Sequence, residues 1–196
     1  MKPHLNPEQS YELAHEWQPD ADGVLRRSAA RVVLFAPDGT TFLIRGHDFG
    51  DTNHWWWFTV GGGIARGESP RQGVLRELRE ETGLVASADR LVGPVLERHA
   101  EFHFALETRR QDELFYVLHV TDGERARIGN EHHFTALETE LLDEWRWWAL
   151  DDIPRAERAG AVFYPQRFPQ LAQQWRDNWD GTLQRVVEYE GQQRVE

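Results

Sequence analysis

Between Val60 and Leu84 the chain carries a local unit with little freedom in how it folds: three consecutive glycines, Gly61 to Gly63, followed by a segment with both ends marked as a helix. Ser69 stands as an N-cap, Pro70 as the first helical residue and Gln72 as the second half of a capping box, so the helix is predicted from about Pro70 to Thr82. Gly83 is placed as its left-handed C-cap, with Leu84 after it to make the apolar contact back onto the last turn. At roughly 100° per residue, Val74, Leu75 and Leu78 share one sector of this helix, while Glu77, Glu80 and Glu81 fill the adjoining one. One flank is apolar and the next is triply acidic.

That acidic flank opposes local electrostatics. Like charges three or four residues apart cost about 0.2–0.5 kcal/mol per pair in an isolated helix, and acids near the C-terminus face the negative end of the macrodipole. Two readings follow. The acids are a solvated face balanced by Arg76 and Arg79, or they are hard oxygen donors gathered for Mg²⁺ or Mn²⁺, with the glycines letting backbone approach a ligand closely.

Composition removes other classes of function. With 22 Lys+Arg against 33 Asp+Glu, the net charge of −11 disfavours a duplex-DNA partner, and an anionic substrate would need a bound cation. Cysteine is absent, which excludes disulfides, thiolate nucleophiles and Cys-based zinc sites. The longest apolar stretch, Val32–Ala36, is far too short to span a bilayer, and the N-terminus lacks a signal pattern, so a cytoplasmic protein without a membrane partner is expected.

Along the chain, residues 1–23 read as a polar arm with a short helix over Pro7–Trp17, residues 24–160 as the main domain, and residues 161–196 as a C-terminal helix and tail packing on it. Val32–Phe35 and Thr41–Ile44 flank a turn set by Pro37 and Asp38-Gly39, which predicts a hairpin. Trp55–Val60 is expected to be a strand entering the glycine loop. Val92–Leu106 and Leu114–Val120 are strand-like, joined by a charged Glu107–Glu113 link, and Trp145–Leu150 is a further short strand. Leu171, Ala172, Trp175 and Trp179 recur at helical spacing over Phe168–Trp179, whereas the polar tail from Gly181 receives no element.

The loop and helix spell Gly62-x5-Glu68-x7-Arg76-Glu77-Leu78-x-Glu80-Glu81-x-Gly83-Leu84. This resembles a complete Nudix box, the signature of Nudix hydrolases, over 23 of 196 residues with nine defined positions at fixed gaps. Relatives often carry Pro ahead of the paired glycines, where this chain has Val60. The resemblance implies an α/β fold, an α/β/α sandwich with a mixed curved sheet. It also implies Glu77, Glu80 and Glu81 as ligands of Mg²⁺ or Mn²⁺, the Gly62 carbonyl as a further ligand, and Arg76 with Glu68 as a pair orienting loop and helix.

The chemistry expected is cleavage of a phosphoanhydride by water, with clustered divalent ions neutralising the phosphoryl oxygens. A carboxylate would serve as general base: Glu81 within the cluster, or Glu138, Glu140 or Glu144 from the acidic Leu137–Trp145 segment. The substrate expected is a small molecule linked through a nucleoside diphosphate, such as a nucleoside triphosphate, a dinucleotide or a nucleotide sugar. Trp55, Trp56 and Trp57 are placed to stack a base, and Arg45, Arg109 and Arg110 to neutralise distal phosphates. Alternation along a strand puts Trp55 and Trp57 on one face and Trp56 on the other, with core packing as the plainer role for each. The proline associated with ADP-ribose hydrolases is absent, His99 standing there, and Phe102 replaces the tyrosine linked to diadenosine polyphosphate hydrolases. A non-catalytic Nudix-like nucleotide sensor is the alternative function, and isomerase chemistry of the same fold would need a cysteine. A homodimer is plausible from the long terminal segments.

Overall fold

The computed structural model describes residues 17–48, 50–129 and 142–190. Among these residues nine strands run in chain order as β1 (Gln18–Pro19), β2 (Leu25–Phe35), β3 (Thr41–Asp48), β4 (Asp51–Phe58), β5 (Val60–Gly63), β6 (Val92–His103), β7 (Thr108–His119), β8 (Leu142–Trp148) and β9 (Gln184–Glu190). The helices are α1 (Pro70–Thr82), the short α2 (Asp122–Arg125) and α3 (Ile153–Arg158), and α4 (Phe168–Asn178).

β2 organises the sheet. Its whole length pairs in parallel with β7 on one edge. The other edge is shared: β5 pairs antiparallel with Ala29–Val32, and β3 only with Leu34 and Phe35 at the hairpin end. Beyond that end β3 leaves β2 and lies between β4 and β8, both antiparallel to it. The sheet therefore splays open next to the glycine strand. β6 pairs antiparallel with β7, and β9 closes the series in parallel with β6. Parallel and antiparallel pairs thus share one open sheet covered by helices on both faces, an α/β/α sandwich.

Alternation along β2 and β7 divides the core. Ala30, Val32, Leu34, Tyr116 and Leu118 face α1, meeting Val74, Leu78 and Leu84. Val33, Phe35, Phe115 and Val117 face the opposite way, against Trp57, Trp148, Ile153, Phe168, Ala172 and Trp175. The helix ends are as the sequence predicts: Ser69 makes the reciprocal capping box with Gln72, and Gly83 takes the left-handed conformation at φ 72° while its N–H donates to Arg79 O.

Three elements differ from the sequence expectation. The glycines are a strand rather than a loop: Gly61, Gly62 and Gly63 pair with Arg31, Ala30 and Ala29, so tightly that a Cβ on Gly61 would fall 2.3 Å from Ala30 O. The charged Glu107–Glu113 segment lies mostly in β7, because its charges have cross-strand partners: Arg110 bonds Glu101, Asp112 bonds Arg26, and Glu113 bonds Arg98. The polar tail supplies β9, which pairs in parallel with β6 and whose buried Glu188 has its partner in Arg98 of that strand. Of the N-terminal arm, residues 1–16 lie outside the described residues.

Candidate active site

α1 carries its acids to the opening between β2 and β3. Val74 and Leu78 anchor the apolar flank at full burial, and this turns Glu77 and Glu81, each 5% exposed, toward the glycine strand. The Gly61 N–H donates to Glu81 Oε2 at 2.8 Å. A Cβ on Gly62 would lie 2.7 Å from Glu77 Oε1, so only glycine leaves room for that carboxylate against the backbone.

Arg76 ties this unit together. Its Nη1 donates to Glu77 Oε1 at 2.7 Å and Glu80 Oε2 at 2.9 Å, its Nη2 to Gly63 O at 2.8 Å, and its Nε and Nη2 to the two oxygens of Glu68 at 3.2 and 3.1 Å. Glu68 also accepts from the Ala65 N–H at 3.0 Å. Burial pushes Glu68 up, but the Arg76 guanidinium and the Ala65 N–H outweigh it and hold the carboxyl below its ordinary value. Burial likewise opposes the charge on Arg76, and Glu68 and Glu77 more than restore it, raising its pKa.

Among the described residues, no three acidic or histidine side chains converge into a ready-made cage for an ion. Arg76 Nη1 is bonded to both Glu77 and Glu80, so one positive group already sits against these two acids. The donor chemistry fits a hard divalent ion: Glu77, Glu80, Glu81 and the Gly62 carbonyl are oxygen donors, and Arg76 sets one positive charge against the three carboxylates it bonds.

These residues border a cavity of about 290 Å³. Gly61, Gly62, Gly63, Arg76, Glu77, Glu80 and Glu81 line it, as do Arg27, Arg31, Arg98 and Arg109 from β2, β6 and β7. Trp17, Trp56, Phe58, Phe102, Phe104 and Tyr164 supply aromatic surface around it. Trp17 lies between two guanidiniums, with Arg27 at 4.5 Å and Arg109 at 4.7 Å from its ring centre. Phe102 and Phe104 stack at 5.6 Å, and Trp56 reaches Phe104 at 5.9 Å.

A family model described as the NUDIX domain matches residues 25–169. The chain belongs to the Nudix family. Over 142 residues it is 32% identical to an RNA pyrophosphohydrolase of Caulobacter vibrioides, the match spanning 69% of this chain and 78% of that one. The fold is similar to the mutator MutT protein of Bacillus halodurans, with a TM-score of 0.53 at 14% identity over 83% of this chain and 90% of that one. It is also similar to the dihydroneopterin triphosphate pyrophosphohydrolase of E. coli, with a TM-score of 0.51 at 18% identity over 82% and 97%. As a Nudix hydrolase the chain acts on phosphoanhydrides.

Around the Nudix box, the structure places the predicted substrate residues unequally. Arg109 lines the cavity, whereas Arg45, Trp55 and Trp57 do not. Trp57, 3% exposed, is core: it meets Trp148 edge-on at 5.1 Å and stacks on Phe163 at 6.3 Å. Trp55 shares its side of the sheet, with the Arg45 guanidinium 5.3 Å from its ring centre. Arg45 is itself engaged by Glu144 at 3.0 Å and Asp143 at 3.7 Å. The alternation of the three tryptophans is as expected, but the cavity lies on the face that Trp56 occupies. Arg110 clamps Asp20, Asp22 and Glu101 instead of facing the cavity. Glu138 and Glu140 lie outside the described residues. Sequence reasoning passed over Trp17, Arg27, Arg31, Arg98 and Phe102. Arg27 and Arg31 share a strand face with Val33 and Phe35, a period-2 signal that was available.

Proposed function

We propose that this Nudix hydrolase is a divalent-metal-dependent pyrophosphohydrolase acting on a nucleoside diphosphate derivative. The observation that carries the proposal is one cavity lined by the acids of α1 together with arginines and aromatic rings. Glu77, Glu80 and Glu81 with the Gly62 carbonyl would hold Mg²⁺ or Mn²⁺, which when bound neutralises phosphoryl oxygens and lowers the pKa of the attacking water. Arg76 and Glu68 keep the carboxylates facing the cavity. Arg27 and Arg109 meet phosphate charge away from the metal end, and Trp56, Phe102 and Phe104 offer ring faces on which a base stacks. The proton of the attacking water passes to a carboxylate, Glu81 or one of Glu138 and Glu140. The similarity to an RNA pyrophosphohydrolase adds RNA carrying a terminal phosphoanhydride to the molecules worth assaying.

The test is a panel of nucleoside triphosphates, dinucleotides, nucleotide sugars and 5′-triphosphorylated RNA, assayed for phosphate, pyrophosphate or nucleotide release. Turnover is expected with Mg²⁺ or Mn²⁺ and is lost with chelator and in Glu80→Gln and Glu81→Gln, by about a hundredfold or more. Activity that survives the chelator and both substitutions would refute the proposal, as would nucleotide binding with no turnover on any member of the panel.

A further inference from the structure

Glu113 has no part in the chemistry just described, yet it is fully buried between the guanidiniums of Arg31 and Arg98, two residues that line the cavity. One of its oxygens accepts from Arg31 Nε and from Gln111, and the other accepts from Arg98 Nη1. Arg98 carries the series outward, its Nε donating to Glu188 Oε2 at 2.7 Å, and the same oxygen accepts from the Gln166 N–H at 3.2 Å. Arg31 carries it inward, its Nη1 donating to the carbonyls of Thr59 and Gly61, each at 3.1 Å. The Gly61 N–H in turn holds Glu81 at 2.8 Å.

A line of alternating charge therefore crosses β9, β6, β7 and β2 and ends on the carbonyls of the two peptides that flank the N–H gripping Glu81. Buried ion pairs of this kind seldom improve on well-packed apolar side chains for stability, since desolvation offsets most of their attraction. What they do supply is orientation, because the planar guanidinium fork bonds only where its partners lie. Glu188 stands beyond residue 169, where the match to the family ends. The edge strand thus reaches the site from outside the segment that the family model matches.

We infer that Glu113 and Glu188 are positioning residues for the hydrolytic site: together they lock Arg31, which pins the Thr59 and Gly61 carbonyls and so sets where Glu81 is presented. What Glu81 does there rests on the function proposed above; that the line of charge holds the glycine strand does not.

The test uses Glu188→Gln and Arg31→Lys, with Glu97→Gln for comparison. Glu97 makes an exposed pair with Arg185 across the same two strands, at 2.7 Å, and has no link to Arg31. The first readout is hydrogen–deuterium exchange in metal-free protein. Amides of the Thr59–Gly63 segment are expected to exchange about fivefold or more faster in Glu188→Gln and Arg31→Lys, while the Val74–Leu78 turn and all of Glu97→Gln stay at the wild-type rate. The second readout is Mn²⁺ affinity of the resting protein with kcat and KM. Glu188→Gln is expected to weaken Mn²⁺ binding and lower kcat by about tenfold, with KM within about twofold of wild type. Unchanged exchange at Thr59–Gly63 in the folded variants overturns the inference, as does equal loosening in Glu97→Gln or throughout the domain. If Glu188→Gln fails to fold, Arg31→Lys carries the same comparison. A wild-type protein without turnover would end the proposed function, and the exchange pattern would still decide this inference.

Discussion

Replacing Arg76 with Gln removes the one guanidinium that bonds Glu68, Glu77 and Glu80 together, and the size of the effect can be worked from the exposure of each partner. The Glu77 side chain is 6% exposed, Glu68 16%, Glu80 39% and Arg76 itself 34%. Breaking a fully buried pair costs about 3–5 kcal/mol, whereas an exposed pair contributes about 0–1 kcal/mol. The Glu80 contact belongs to the second class. The Glu77 and Glu68 contacts lie between the two, because both carboxylates are mostly buried while Arg76 is about a third exposed, so the expected loss for Arg76→Gln is about 2–3 kcal/mol in metal-free buffer. Arg76→Lys keeps the charge but cannot span Glu68, the Gly63 carbonyl and Glu80 at once, and about half of that loss is expected to remain. The assay is urea denaturation with chelator and again with millimolar Mn²⁺. If the proposed metal site is right, a cation held by Glu77 and Glu80 would take over the neutralising role, and Mn²⁺ is expected to restore at least about half of the stability lost in Arg76→Gln. A metal-free loss below about 0.5 kcal/mol, or a loss of the same size with and without Mn²⁺, would refute the reasoning.

Three further predictions concern neighbouring features. Gly62→Ala is expected to fold and to lose metal-dependent turnover, because its Cβ would meet the Glu77 carboxylate at 2.7 Å, whereas Gly61→Ala is expected to unfold at markedly lower urea, its Cβ meeting Ala30 O at 2.3 Å at a φ of 131°. Trp57→Ala should cost about 3–5 kcal/mol in urea unfolding with substrate KM little changed, and Trp56→Ala the reverse, a raised KM with less than about 1 kcal/mol of stability lost. Acid unfolding followed by fluorescence should show stability falling below pH 4.5: burial would raise Glu113, but Arg31 and Arg98 hold it at about 2, and Arg90 holds Glu124 at about 2. A carboxyl depressed in the folded state contributes fully above its unfolded value and loses that contribution as pH falls toward the folded one, so Glu113→Gln should flatten the slope between 4.5 and about 2.

What the sequence made legible was whatever is decided within a few residues. The ends of α1 follow from Ser69, Pro70, Gln72 and Gly83, whose capping bonds are local, and the acidic flank follows from helical spacing alone. The hairpin at Asp38-Gly39 is local for the same reason. Features that depend on a distant partner were not legible. Glu113 looks like part of a charged link until Arg98 and Arg31 are set beside it. Gly61–Gly63 look like a loop until β2 lies close enough to exclude a Cβ. Which of Trp56 and Trp57 reaches the cavity depends on which face of the sheet α4 covers, and nothing near residue 56 records that. Trp17 enters the site because Arg27 and Arg109 meet around it from two strands, so its place in a polar arm carried no sign of its role.

The claim on which the functional account stands is that the acidic wall of α1 takes divalent ions, with Arg76 standing in for them in their absence. The most direct measurement is anomalous scattering from crystals soaked in Mn²⁺. The account predicts manganese peaks about 2.0–2.3 Å from carboxylate oxygens of Glu77, Glu80 and Glu81, with the Arg76 bond to Glu80 opened. A soaked crystal in which Arg76 still bridges Glu77 and Glu80, and no anomalous peak lies beside any of the three acids, would contradict it.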